Sequence, residues 1–149
     1  MAAASAVAEW PNLVKNIFLT QNKNSAGITG ISLFIRGKPY HFALDDSIMF
    51  YNSSAYGFAP VYAALSDDKT AAWSMVIEKA WAKVIGNYLK IDGGYVTTAI
   101  RALTGVPTFS YSLTTNLTFD PVVAFTLLSA ADRSNYIIGV GTSAGSDKT

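Results

Sequence analysis

The spacing of apolar residues predicts several helices along the chain. Trp10-Pro11 separates the first two, because the residue before a proline is pushed out of the α region and proline suits the first position of a helix. Asp120-Pro121 is the same kind of start signal. The clearest apolar stripe runs from Trp73 to Tyr88 at i, i+3, i+4 spacing. The predicted helical stretches are residues 1–8, residues 11–18, the stretch from Trp73 to a stop signal at Gly86-Asn87, residues 96–103 ending at Gly105-Val106-Pro107, and residues 122–129, the last of them buried.

Strict alternation of apolar residues predicts a β-hairpin over residues 28–44, with its turn at Arg36-Gly37-Lys38. Pro39 indicates an edge strand or a bulge. Residues 61–65 are expected to form a short strand, residues 135–140 a core strand, and residues 47–60 an aromatic, irregular segment. Helices and strands in this order predict one α+β unit with no internal domain boundary.

Composition limits the classes of partner. The chain has 149 residues, of which 50% are hydrophobic and only 14% charged, so we expect it to bury apolar surface against a partner or within a larger domain. A net charge of +1 gives no field that would attract nucleic acid. No apolar run is long enough for a membrane span, and a cytoplasmic, intracellular setting is the default expectation.

Candidate chemistry is sparse. The chain has no cysteine, which excludes a thiol nucleophile, disulfides and cysteine-type zinc sites. His41, the single histidine, falls on the polar side of a predicted strand and is interpreted as a strand residue rather than a base. Asp45 and Asp46 would point to opposite faces of a strand, and Asp67-Asp68 would cap a helix. No catalytic residue and no metal ligand is therefore predicted.

Residues 71–105 carry a series of motifs in a fixed order. The motifs are Trp73, Glu78-Lys79-Ala80-Trp81-Ala82-Lys83, Gly86-Asn87-Tyr88, Gly93-Gly94 and Leu103-Thr104-Gly105. Together they resemble the protease core of the calpains, a family of papain-like cysteine proteases. The stretch from Ala26-Gly27-Ile28 to Leu44-Asp45-Asp46 resembles the same core.

The resemblance extends over the whole chain. Residues 1–10 resemble the helix that follows the family's catalytic cysteine, and residues 138–149 resemble the segment that leads to its catalytic histidine. It implies that 1–149 is a single partial calpain-like catalytic domain, the end of a helical lobe plus the start of a sheet lobe. The edge that bears the cysteine and the part that bears the histidine and asparagine would lie outside it, which favours truncation over decay of a site.

The resemblance also implies roles for particular residues. The backbone of Gly93 and Gly94 would contact an extended polypeptide substrate, since glycine permits close approach. Ala71 stands where the family has a calcium-binding acidic residue, and the second calcium loop would fall beyond Thr149. No cofactor is therefore expected in this chain, although a complete parent protein could use calcium.

Two functions are consistent with these features. The chain is either an inert segment of a calpain-like cysteine endopeptidase, or a non-catalytic calpain-like module whose exposed core is covered by protein partners. In both cases open strand edges predict that the isolated chain stays partly unfolded. A cooperative two-state unfolding transition would contradict that expectation.

Overall fold

The computed structural model describes residues 2–22, 24–54, 57–60, 71–91, 93–111 and 120–140. These ranges contain helices and two antiparallel strand pairs, so the α+β class is confirmed. The α-helices are α1 Ala2–Ala8, α2 Pro11–Ile17, α3 Trp73–Ile85, α4 Val96–Thr104 and α5 Pro121–Arg133, with a short 3-10 helix at Tyr88–Ile91. The strands are β1 Ile28–Ile35, β2 Lys38–Asp45, β3 Phe50–Ser53 and β4 Gly57–Pro60.

The predicted hairpin is formed by β1 and β2, which pair antiparallel from Ile28↔Asp45 to Ile35↔Lys38. Arg36 and Gly37 form its turn with φ of 51° and 78°. Positive φ at both central residues is the geometry of a type I′ turn, whose twist matches that of the two strands. His41 is exposed, as its place on the polar side predicts.

The predicted helix boundaries are confirmed at several points. Pro11 opens α2, α3 ends at Gly86 and α4 ends at Gly105. Asp120 caps α5, because its Oδ1 accepts a 2.8 Å hydrogen bond from the backbone N–H of Val122.

A single cluster of buried residues joins α1, α2, α3, α4 and the hairpin. Val7, Ile31 and Leu33 are fully buried at its centre. Trp73, Val76, Trp81 and Val84 of the predicted α3 stripe pack against it. The other buried members are Ala3, Ala4, Ile17, Leu44, Ile77, Ala80, Ile100 and Leu103.

Three predictions are wrong. Residues 47–60 are not irregular throughout, because β3 and β4 pair from Phe50↔Pro60 to Ser53↔Gly57, as suits their aromatic content. The helix at 122–129 exists within α5 but none of its described residues is buried, since the part of the chain that the structure describes places no layer over it. Residues 135–140 form no strand, because they have no ladder partner within the described ranges.

Other predictions fall outside the described ranges. These are the strand at 61–65, the capping role of Asp67 and Asp68, and the tail at 142–149. None of the described helices is both long and apolar enough to cross a membrane.

Two lysines of α3 attach this helix to β2. The ammonium of Lys79 donates to the Asp45 carbonyl at 3.0 Å, the Asp45 carboxylate at 2.7 Å and the Ser47 carbonyl at 2.7 Å. Lys83, one turn later, donates to the Ala43 carbonyl at 2.9 Å. The hydrogen bonds from Lys79 and from Ser47 hold the pKa of Asp45 well below its usual range.

Candidate functional site around helix α4

The Gly93-Gly94 turn lies between the 3-10 helix Tyr88–Ile91 and α4, and both glycines are exposed. Neither has a φ in the left-handed region. A Cβ built on either would meet no heavy atom within 4 Å. Contacts among the described residues therefore do not require glycine here, and the turn presents its backbone to the outside.

Helix α4 follows this turn and packs against α1. Ala3, Ala4 and Val7 of α1 share the buried cluster with Ile100 and Leu103 of α4. The small alanine side chains allow the two helices to approach closely. The turn is thus tied through α4 to α1.

Residues 137–139 pack on the first turn of α4. Ile137 is partly buried against the core cluster. A Cβ on Gly139 would collide with Val96 Cγ1 and lie 3.9 Å from Ile100 Cδ1. Glycine at 139 therefore permits the close approach of this segment to α4. Val96 is the first residue of α4, so the contact lies two positions after Gly94.

An open pocket of about 200 Å³ lies where the end of α1, the end of α5 and the segment after it meet. Trp10 and Ile138 both line this pocket. No histidine is among its described lining residues, which are Glu9, Trp10, Asp132, Asn135, Tyr136 and Ile138. Across the described ranges, no three His, Cys, Asp or Glu residues cluster in a way that could hold a metal ion.

Residues 1–149 match the model of the calpain family of cysteine proteases along their full length. The chain belongs to that family. It is 34% identical to Calpain clp-4 of Caenorhabditis elegans over 83 residues, which is 56% of this chain and 11% of that protein. It is 28% identical to Calpain-A of Drosophila melanogaster over 142 residues, covering 93% of this chain and 16% of the relative.

Plant relatives are similar over the same extent. The calpain-type cysteine protease DEK1 of Zea mays is 25% identical over 154 residues, covering 97% of this chain and 7% of that protein. The chain therefore spans only a small part of the length of these relatives. Family membership confirms the resemblance that the motifs between Trp73 and Gly105 indicated.

The single histidine lies outside the described pocket lining. His41 lies on β2 and is not among the residues that line the pocket. Ser5 lies inside α1 and is exposed. The contact of Gly139 with Val96 was not predicted, although Ile138-Gly139 belongs to the resemblance. The sequence signal that could have predicted this contact is a glycine directly after two β-branched residues, because a glycine allows an apolar segment to approach a helix closely.

Proposed function

We propose that this chain is a segment of the catalytic domain of an intracellular calpain-like cysteine endopeptidase. The proposal rests on one observation: three features that have separate roles in the calpain family all lie against or next to α4. These features are α1, the Gly93-Gly94 turn and the segment around Gly139. In a papain-type protease the corresponding parts border the cleft that binds the polypeptide.

The 149 residues do not supply the reaction's nucleophile. Papain-type hydrolysis needs a thiolate, a histidine that activates it and a third group that orients the histidine. The chain contains no cysteine, and its one histidine lies on β2. We therefore propose that the chain by itself is inert, and that 1–149 is a partial catalytic domain completed by residues outside it.

Gly93 and Gly94 are proposed to hydrogen-bond the backbone of an extended polypeptide substrate. Open space around both positions and their exposed backbone support this role. An extended peptide bound through its main chain needs a strand-like approach that side chains on the turn would obstruct.

The first test measures turnover. The purified chain, incubated with a fluorogenic peptide, calcium and a thiol reductant, should release no product. Turnover that persists after treatment with a thiol-blocking reagent would refute the proposed inertness. Turnover that the reagent abolishes would come from a contaminating cysteine protease, because the chain has no cysteine. We propose that the residues through which a parent protein would bind calcium lie outside 1–149. A calcium titration of the chain should therefore leave its circular dichroism spectrum unchanged.

The second test uses a protease that contains this segment. Gly94→Val should raise KM on the order of tenfold, because a side chain would block peptide approach, while the reactivity of the catalytic thiol toward iodoacetamide stays the same. Leu89→Val is the control, since Leu89 is 84% exposed on the preceding 3-10 helix. An unchanged KM for Gly94→Val would refute the contact between this turn and the substrate. It would not bear on the proposal that the chain is a segment of a protease.

A second function is favoured by the exposed apolar side chains of α5. Val122 is 71% exposed and Phe125 is 73% exposed. Such a surface suits a non-catalytic calpain-like module that protein partners cover. The adjoining coding sequence distinguishes the two functions: a cysteine motif of the form Q-G-x-x-G-[DN]-C upstream with G-H-A-[YF] downstream would establish the protease.

A further inference from the structure

The outer edge of β2 can be derived from the register of the hairpin. The closing pair of a two-residue turn, Ile35 and Lys38, exchanges its backbone hydrogen bonds across the turn. Backbone groups then alternate along β2, so every second residue directs its N–H and C=O away from β1. The outward residues are Pro39, His41, Ala43 and Asp45.

Three of the eight outward backbone positions on these four residues cannot pair with another strand in this structure. Pro39 has no N–H to donate. The Ala43 carbonyl accepts from Lys83 at 2.9 Å, and the Asp45 carbonyl accepts from Lys79 at 3.0 Å. Lys79 continues the row, since it also bonds the Ser47 carbonyl at 2.7 Å. The two lysines, one turn apart on α3, thus occupy acceptors along the outer edge.

Two outward residues on the other edge of the hairpin also form hydrogen bonds away from β2, which supports the derived alternation. Gly30 accepts from the Leu19 N–H at 2.8 Å and donates to Thr20 Oγ1 at 2.8 Å. Ile28 donates to Asn24 Oδ1 at 3.1 Å, and its carbonyl accepts from Asn24 Nδ2 at 2.6 Å. Both residues are outward on β1 by the same count.

We infer that Lys79 and Lys83 guard the outer edge of β2 against strand addition by a second copy of this chain. An exposed row of backbone donors and acceptors is a template for another strand, and charged side chains are a common means of blocking it. The stretch from His41 to Asp45 is self-complementary when two copies run antiparallel about Ala43, because His41 then meets Asp45 of the other copy. That register also avoids Pro39. This role is independent of the proposed protease function.

The test removes both ammonium groups and retains the length of the side chains, in the double variant Lys79→Met, Lys83→Met. Hydrogen exchange is followed at single amides of β2 over a range of protein concentrations. The control is Lys15→Met, Lys90→Met, which alters exposed lysines on other elements.

The variant Lys79→Met, Lys83→Met is called the edge variant. In it, exchange at the outward amides of His41, Ala43 and Asp45 should slow by roughly tenfold or more as protein concentration rises. The exchange rates of the inward amides of Tyr40, Phe42 and Leu44 should not depend on concentration. Unchanged outward amides would overturn the inference. Complete loss of inward protection would also overturn it, because the lysines would then hold the hairpin together. An equal slowing of exchange at the outward amides in the Lys15→Met, Lys90→Met control would also overturn the inference.

A disulfide gives a second readout, since the chain has no thiol of its own. Ala43→Cys places one thiol at the proposed two-fold axis, where paired strands bring Cα atoms to about 5.5 Å. Under mild oxidation, Ala43→Cys should form the cross-linked dimer much faster in the edge variant than in the parent. Gln21→Cys, the control, should cross-link slowly and at the same rate in both. Equal acceleration at the two positions would indicate general unfolding and refute the inference.

Discussion

Gly105 ends α4 in a conformation that only glycine adopts without strain. Its φ is 75°, and its N–H donates to the Arg101 carbonyl at 2.8 Å. A Cβ at this position would lie 2.8 Å from Cδ1 and Cε1 of Phe34 on β1. Gly105→Ala therefore has two separate effects, a left-handed backbone at a residue with a Cβ and a clash with the half-buried ring of Phe34.

The two effects can be given magnitudes. A left-handed conformation costs about 1–2 kcal/mol for a residue with a Cβ. Overpacking against Phe34 adds about 1–3 kcal/mol. The sum, about 2–5 kcal/mol, corresponds to a factor of roughly 30 to several thousand in an opening equilibrium.

Hydrogen exchange of the slow amides in β1 and α4 measures this opening directly. Gly105→Ala should accelerate exchange by that factor. Gly37→Ala is the matched control, because Gly37 has a φ of 78° and no atom within 4 Å of an added Cβ. It should show only the backbone effect, roughly 5- to 30-fold.

The clash can be isolated further with Phe34→Leu. If the ring is responsible, Gly105→Ala should cost less in the Phe34→Leu background than in the parent. The reasoning is refuted if Gly105→Ala accelerates exchange no more than Gly37→Ala does, or if Phe34→Leu leaves its effect unchanged.

Two further predictions concern charge and exposed surface. Because the bond from Lys79 lowers the pKa of Asp45, the charged form stabilises the fold above the ordinary value of 3.8, and this contribution is lost as pH falls below it. Asp45→Asn should therefore raise the exchange rate of β2 amides relative to the parent at pH 7, with a ratio that shrinks below pH 3.8; a constant ratio would contradict the mechanism. The double variant Val122→Ser, Phe125→Ser should lower the fluorescence of a bound hydrophobic dye while helix content is kept, since both side chains are more than 70% exposed. Leu89→Ser is the control, and an equal decrease there would argue against a specific α5 surface.

Local sequence signals predicted the elements whose causes are local. The φ of Gly37, the ring of Pro11 and the side-chain cap of Asp120 act within a few residues. They could be recognised from the sequence and were confirmed. The family resemblance singled out Gly93 and Gly94 through motifs in a fixed order, and their contact with a substrate stays a prediction.

Contacts between distant segments could not be predicted in this manner. The apolar residues 135–140 have the composition of a strand, but a strand requires a partner that composition does not supply. The helix at 122–129 is apolar on several sides, yet its burial depends on what packs over it. Gly27 also has a tertiary role, since a Cβ there would lie 2.6 Å from the Asp46 carboxylate.

The sequence by itself determined the α+β class, the main helix starts and ends, the first hairpin and the family. These follow from backbone sterics, periodicity and motif order, which are properties of short stretches. Only the tertiary structure decided that Gly139 lies on Val96 and that two lysines of α3 cover the edge of β2. Those contacts join residues about 40 positions apart, and their geometry depends on how the helices and the hairpin pack around one core.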